Sequence, residues 1–296
     1  MHHTDGSTGR VLQCRTCGVE YPAAALPDVC PICADERQYL RPDGRQLWAD
    51  PDDFDGDVSL HEVEPGVWRI DTSGAPGIGQ RAYLLVSGSG NVMIDVPGAF
   101  HPAAVATIHD LGGIQAIIAS HPHMYAVQSL WSAAFDDAPV YVSAPDEHWL
   151  AVRPTRCLVW DDEVELVPGV VASQPGGHFP GSTAVHWAGE DGAGVLFTGD
   201  TIGVNRDGET LAFMWSYPNR IPLSAAVAER IAGHVSRHDF ARLYDNFGGT
   251  IATDARARVR TSAARHASWA RGDHDHLTGG SHSLPHSRRG ARHPHM

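Results

Sequence analysis

A chain of 296 residues, 42% hydrophobic and with a formal charge of −13, is long enough for one large domain or a domain plus a small module. No run approaches the ~18 apolar residues a membrane helix needs, and the first residues carry no apolar signal core, so a cytoplasmic chain with no membrane partner is expected. All 22 basic residues are arginine, which removes Schiff-base lysines and phosphate-loop lysines from consideration, and the acidic balance argues against nucleic acid as a partner.

In chain order, the first feature is a set of four cysteines, Cys14, Cys17, Cys30 and Cys33, forming two CxxC pairs separated by twelve residues. In a reducing compartment this spacing predicts one four-thiolate metal site within a small module, residues 1–40, rather than two disulfides. Gly18 follows the first knuckle, as a tight turn requires, while the second is followed by Ala34. Zinc as a structural staple and redox-active iron both fit the four sulfurs. Residues 41–57 are polar and rich in Asp and Pro, and read as a linker or wrapping arm.

From residue 58 to 270, short apolar runs alternate with helical stretches, the pattern of a layered α/β or α+β domain. Strands are predicted at Val58–Val63, Val67–Asp71, Ala82–Val86, Asn91–Asp95, Ala116–Ser120, Val140–Ser143, Glu163–Val167, Val170–Ala172, Ala184–Trp187, Val195–Thr198 and Phe240–Tyr244. Helices are predicted at Pro102–Leu111, Ala126–Phe135, Ser224–Val235 and Asp254–Ala270. Residues 271–296 hold six of the 19 histidines among Gly, Ser, Pro and Arg, and are expected to be a disordered tail, either binding metal adventitiously or simply solvated.

The chemistry concentrates at strand ends. The apolar run at 116–120 ends in SHPH, and alternation in an extended segment would put His121 and His123 on one face. His178 sits in the Gly- and Pro-rich loop QPGGHFPGST, and Asp200 ends the apolar strand VLFTGD. Three imidazoles and a carboxylate form an N/O ligand set suited to zinc or ferrous iron. His148 with Trp149, and the aromatic run 213–223, read as cleft or core packing. His186 reads as a structural histidine and Cys157 as a buried, inert thiol.

SHPH at 120–123, GGHFPGST at 176–183 and FTGD at 197–200 occur in the order of the HxHxDH, GHTPGS and TGD elements of the metallo-β-lactamase fold superfamily, which the segment from Val58 to Trp269 resembles. The resemblance implies an α+β, αββα sandwich of two sheets between helices, with His121, His123 and His178 forming the first metal site and Asp200, a catalytic carboxylate that bridges two metals in dinuclear members, as a further ligand. The chain departs from that pattern where the second metal is held. Tyr125 and Ala126 stand in place of Asp and His, and YDNFGGT near the C-terminus offers no imidazole. One metal in this domain is therefore expected. Tyr125 either donates a hydrogen bond to a developing oxyanion or fills the space left by the second site.

The cysteine module resembles rubredoxin-like and zinc-ribbon modules. CPICADERQYL also resembles an N-terminal stretch of uncharacterised members of the same fold group. The resulting expectation is a mononuclear metallohydrolase that cleaves an ester, thioester or lactone of a small-molecule substrate through a metal-bound hydroxide, with zinc at each site. The alternatives are a mononuclear non-haem iron oxidoreductase associated with the thiolate module, with iron possible at either site, and a non-catalytic metal-binding scaffold.

Overall fold

The computed structural model describes residues 9–39, 44–53, 56–74 and 76–279. The N-terminal module is an antiparallel sheet of β1 (Val11–Cys14), β2 (Glu20–Pro22) and β3 (Trp48–Ala49) in the order β2-β1-β3, with the short helix α1 (Pro31–Ala34) carrying the second cysteine pair. The third strand comes from the segment expected to be a linker. Trp48 there meets Tyr21 edge-on at 5.0 Å, an apolar contact that ties an otherwise polar stretch to the sheet.

The first large sheet contains β4 (Val58–Glu64), β5 (Val67–Thr72), β6 (Ala82–Leu85), β7 (Val92–Ile94), β8 (Ala116–Ile118), β9 (Val140–Ser143) and β10 (Cys157–Trp160), lying side by side in sequence order. Strands β4 to β7 run antiparallel and β7 to β10 parallel, because helix α2 (Pro102–Asp110), helix α3 (Gln128–Ala134) and the 3-10 helix Ala144–Trp149 supply the successive crossovers where hairpins served before.

The second sheet contains β11 (Glu163–Val167), β12 (Val170–Ser173), β13 (Ala184–Trp187) and β14 (Val195–Phe197). Two small hairpins follow, β15 (Gly203–Val204) with β16 (Leu211–Ala212) and β17 (Met214–Ser216) with β18 (Ile221–Pro222). Helix α4 (Ala225–Val235) then leads to β19 (Arg242–Tyr244) and β20 (Thr250–Ile251), which complete the sheet in the order β11-β12-β13-β14-β19-β20, and helix α5 (Ala255–Ala270) closes the fold.

Period-two alternation sorts the core into layers. Tyr83, Leu85, Ile94, Ile118, Val185 and Phe197 meet between the sheets. Leu84, Met93 and Ile117 face the opposite way, onto α2, α3 and the cysteine module. Leu196 and Leu243 face α4 and α5. The result is the expected αββα sandwich. The four cysteines belong to the same buried cluster as Trp131 of α3, so the module shares the domain's core.

Each strand expected from residue 58 onward is present, with ends shifted by one or two residues, and Ser224 and Asp254 flank rather than join their helices. Strand β10, the apolar run Cys157–Trp160 at the sheet's edge with Leu158 and Val159 exposed, is an addition to the strands expected.

Disorder was expected from residue 271, yet the chain as far as 279 folds back on α5. A 3-10 turn spans Asp275–Thr278, His274 pairs with the Ser268 hydroxyl at 2.8 Å, and its ring meets Trp269 at 4.8 Å. His282, His286, His293 and His295 lie outside the described residues. Among the described residues, no helix is long and apolar enough to cross a membrane.

Candidate metal centre

His121 follows the end of β8. Its Nδ1 pairs with the Ser120 hydroxyl at 2.9 Å, and the Ser120 amide donates to the buried Asp95 carboxylate at 2.7 Å. The backbone is extended at His121 and then winds into a 3-10 turn, Pro122–Met124. His123 therefore converges with His121 through that turn, not through strand alternation, with ring centroids 4.9 Å apart.

His178 lies on the loop between β12 and β13. The loop is tied to the same place by the Thr183 amide donating to the Ser120 carbonyl at 2.8 Å, and is braced by the Ser182 hydroxyl accepting from the Phe179 amide. Its ring is 4.9 Å from His121 and 5.3 Å from His123.

Asp200 arrives by the turn after β14. Gly199 there has φ +51°, and a Cβ on it would sit 2.3 Å from the Ser120 hydroxyl. Only glycine permits this approach. The Tyr217 hydroxyl, from the β17–β18 hairpin, donates to the Asp200 carbonyl at 3.0 Å. The aromatic run read as packing thus includes one residue that braces the site.

The four side chains are buried and offer one ligand atom each within 4.8 Å of one another. Asp200 Oδ2 lies 3.3 Å from His121 Nε2 and 3.6 Å from His178 Nε2. The Nε2 atoms of all three histidines are buried without a hydrogen-bond partner, a costly state for polar nitrogens that a bound cation would relieve.

Burial, helped by the neighbouring imidazoles and Arg37, holds His123 well below the ordinary histidine range. Burial holds His178 at about 4, against the pull of Asp200. Burial alone would raise the Asp200 carboxyl, but His121, His178 and Asn246 outweigh it and leave it below the ordinary range. Neutral His123 and His178 beside the Asp200 carboxylate are in the protonation states a zinc or ferrous ion requires.

Cys14, Cys17, Cys30 and Cys33 form the second cluster. Their sulfurs approach at 3.7 Å in the pairs Cys14–Cys33 and Cys17–Cys30. A tetrahedron with metal–sulfur bonds of ~2.3 Å has edges of about 3.8 Å, so the sulfurs already describe a metal's coordination shell. Gln46 donates to Cys14 Sγ at 3.3 Å and accepts from the Cys30 amide, and the Tyr21 hydroxyl lies 3.2 Å from Cys30 Sγ. Gly18 takes the positive φ expected of the first knuckle.

Tyr125 and Ala126 are packed into the core. The Tyr125 hydroxyl donates to the Asp146 carbonyl at 3.2 Å. Ala126 is fully buried at φ +40°, and its carbonyl accepts the Glu20 amide of the module at 2.9 Å. The Glu20 carboxyl group in turn accepts from the Ser129 amide at 2.8 Å and the Ser129 hydroxyl at 2.5 Å. The cysteine module is therefore hydrogen-bonded to Ala126, one of the positions at which the sequence pattern lacks its second set of ligands.

In YDNFGGT, Asn246 follows β19, stands beside Asp200 and donates to Met124 Sδ at 3.0 Å. Cys157 is half-buried rather than buried, and burial raises its thiol, so it is not activated. His186 pairs with the Asp239 carbonyl at 2.8 Å, a structural role.

Two contributors were not visible in the sequence. Phe179 contacts all three imidazoles, with ring centroids 5.7, 4.9 and 5.2 Å from His121, His123 and His178. Arg37 lies 3.6 Å above the Phe179 ring and donates to the His178 carbonyl at 3.2 Å. A long-range contact across 141 residues leaves no local signal, and Arg37 sits in a stretch that reads only as the exit from a knuckle.

The class these features define is the metallo-β-lactamase fold. The crystal structure of DIM-1 metallo-β-lactamase matches with a TM-score of 0.54 at 15% identity, covering 72% of this chain and 98% of that one. VMB-1 at pH 5.5 matches with a TM-score of 0.55 at 16% identity over 72% and 98%, and FIM-1 from Pseudomonas aeruginosa, in a mono-zinc form, with 0.53 at 15% over 72% and 96%. No family model matches. The chain is 38% identical over 260 residues to the uncharacterized protein YmaE of Bacillus subtilis (strain 168), covering 86% of this chain and 94% of that protein. It belongs to the YmaE family.

Proposed function

We propose that this protein is a mononuclear metal-dependent hydrolase that cleaves an ester, thioester or lactone in a small-molecule substrate, with a second, structural metal held by the four cysteines. The observation that carries this reading is the convergence of His121, His123, His178 and Asp200 with their ligand atoms within 4.8 Å, the imidazole Nε2 atoms making no hydrogen bond and those of His121 and His178 facing the Asp200 carboxylate. When bound there, zinc acidifies a water and polarises a carbonyl.

The chain's own residues supply the rest. His121 is oriented by Ser120 and Asp95, His178 by its loop, and Asp200 by Gly199 and Tyr217. The core contacts of Tyr125 and Ala126 support a single metal, and of the two roles expected of Tyr125 we infer packing, because its proton is engaged by the Asp146 carbonyl. The mono-zinc form of FIM-1 is a precedent within the fold for one ion. Four reduced cysteines in a thiolate cluster support a cytoplasmic location.

Elemental analysis of protein purified without added metal, with hydrolysis of a panel of aryl esters, thioesters and lactones, tests the proposal. Two zinc per chain are expected, falling to one in His178→Ala with loss of hydrolysis. Wild-type turnover in His178→Ala, or three metals per chain, would overturn it. A second reading, an iron oxidoreductase, is favoured by one observation: the thiolate cluster and the histidine site are joined through Arg37. Two iron per chain with oxygen uptake would select it.

A further inference from the structure

The cysteine module and the histidine site share more than a core. Four residues after Cys33, Arg37 reaches the site and uses its whole guanidinium there. Nε and Nη2 grip the Asp35 carboxylate at 2.7 and 2.9 Å, Nη1 donates to the His178 carbonyl, and the plane lies 3.6 Å over Phe179, flanked by Trp149 at 5.8 Å and Trp215 at 5.6 Å. The segment between them is pinned as well, since the Glu36 carbonyl accepts from the Ser216 hydroxyl and from the Asn219 side-chain Nδ2, each at 2.7 Å. The chain therefore runs from a thiolate ligand to the backbone of an imidazole ligand in a few residues, all of them fixed.

We infer that Arg37 is a positioning residue that couples the two metal sites: an intact four-cysteine cluster holds Arg37 on His178 and Phe179, and thereby raises the affinity of the histidine site for its metal. This rests on the reading that both clusters bind metal. Two effects compete at Arg37. Its positive charge opposes a cation nearby, whereas its hydrogen bond and stacking fix His178 and the ring wedged among the three imidazoles. Asp35 offsets the charge with two short contacts, so orientation is the larger effect. Partners that orient metal ligands are worth roughly 10–100-fold in affinity.

The test uses the full chain loaded with cobalt(II), whose thiolate charge-transfer band and intense low-energy ligand-field bands report the cysteine site and whose weaker, higher-energy ligand-field bands report the nitrogen- and oxygen-ligated histidine site, titrated with a competing chelator. In Arg37→Ala the thiolate band is expected to stay unchanged while cobalt at the histidine site binds about tenfold more weakly with shifted ligand-field bands. Arg37→Lys should fall between, because an ammonium cannot grip Asp35 with a planar fork and stack at once. Cys33→Ser should weaken and shift the thiolate band and weaken the histidine site by a similar factor; should that variant not fold, the two Arg37 variants decide.

Histidine-site affinity within twofold of wild type in Arg37→Ala, or tighter, would overturn the coupling, as would an unchanged histidine site in folded Cys33→Ser. A wild-type spectrum without ligand-field bands from the histidine site would instead sink the reading on which the coupling rests.

Discussion

Tyr125 sits where an acidic side chain would stand in the pattern the sequence resembles, and its environment is that of a core residue. It is 3% exposed, and burial, reinforced by Asp146, raises its phenol well above the ordinary range. Its proton is shared with the Asp146 carbonyl, so replacing the hydroxyl removes one buried hydrogen bond and leaves a carbonyl unpaired. Tyr125→Phe is expected to lower stability by about 1 kcal/mol and to change kcat by less than threefold. A urea titration and steady-state kinetics on the same preparation check both, and a fall in kcat of a hundredfold at wild-type stability would return Tyr125 to the reaction. The residue types at 121, 123, 178 and 200 were readable in the sequence because strand-end histidines in a fixed order are rare. Arg37, Glu20 and Phe179 were not, since an arginine after a knuckle, a glutamate in a short strand and a phenylalanine in a loop each have an ordinary local explanation.

At the scale of elements, the site exists because β8, the loop after β12 and the turn after β14 end at one place, and Gly199 is the point of closest approach. A side chain there would collide with the Ser120 hydroxyl, which holds His121, and would have to adopt φ +51°. Gly199→Ala should therefore turn His121 away from Asp200, costing roughly 2–3 kcal/mol of stability. It should also reduce metal at the histidine site while the thiolate site stays filled. Metal content with a chemical denaturation curve measures both, and a variant with full metal content and wild-type stability would refute this account of the turn. Strand positions were legible because the central strands, buried on both faces, read as short continuous apolar runs. The convergence of His121 and His123 was legible for the wrong reason, since Pro122 starts a 3-10 turn where the alternation assumed an extended chain. The strands β15 to β18 and β3, two or three residues each, are too short to impose any period on the sequence.

For the whole molecule, the question is what fixes the module to the domain, and Glu20 is the test of it. Its carboxyl is buried at that junction against Ser129 of α3, and burial lifts it from an ordinary value of 4.5 to about 8, against the opposing pull of the Ser129 hydroxyl and amide. An acid raised in this way keeps its proton in the folded protein at pH values where the unfolded chain has released it. The unfolded state then binds fewer protons, and stability declines as pH rises from about 4.5 to about 8, levelling beyond. The gap corresponds to a contribution on the order of 5 kcal/mol, reduced by any water that reaches the junction. The thiolate cluster works in the opposite sense, because its cysteines must be deprotonated to hold metal and so favour the fold more as pH rises. Wild-type stability alone would mix the two trends, and the difference between wild type and Glu20→Gln separates them. The glutamine can accept from Ser129 without titrating, so its stability relative to wild type should increase steadily from pH 5 to pH 8. Urea midpoints of both full-length, metal-loaded proteins across that range measure the difference; a constant offset, or one that shrinks with rising pH, would mean that Glu20 is ionised in the folded protein and that the junction is wetter than its packing implies.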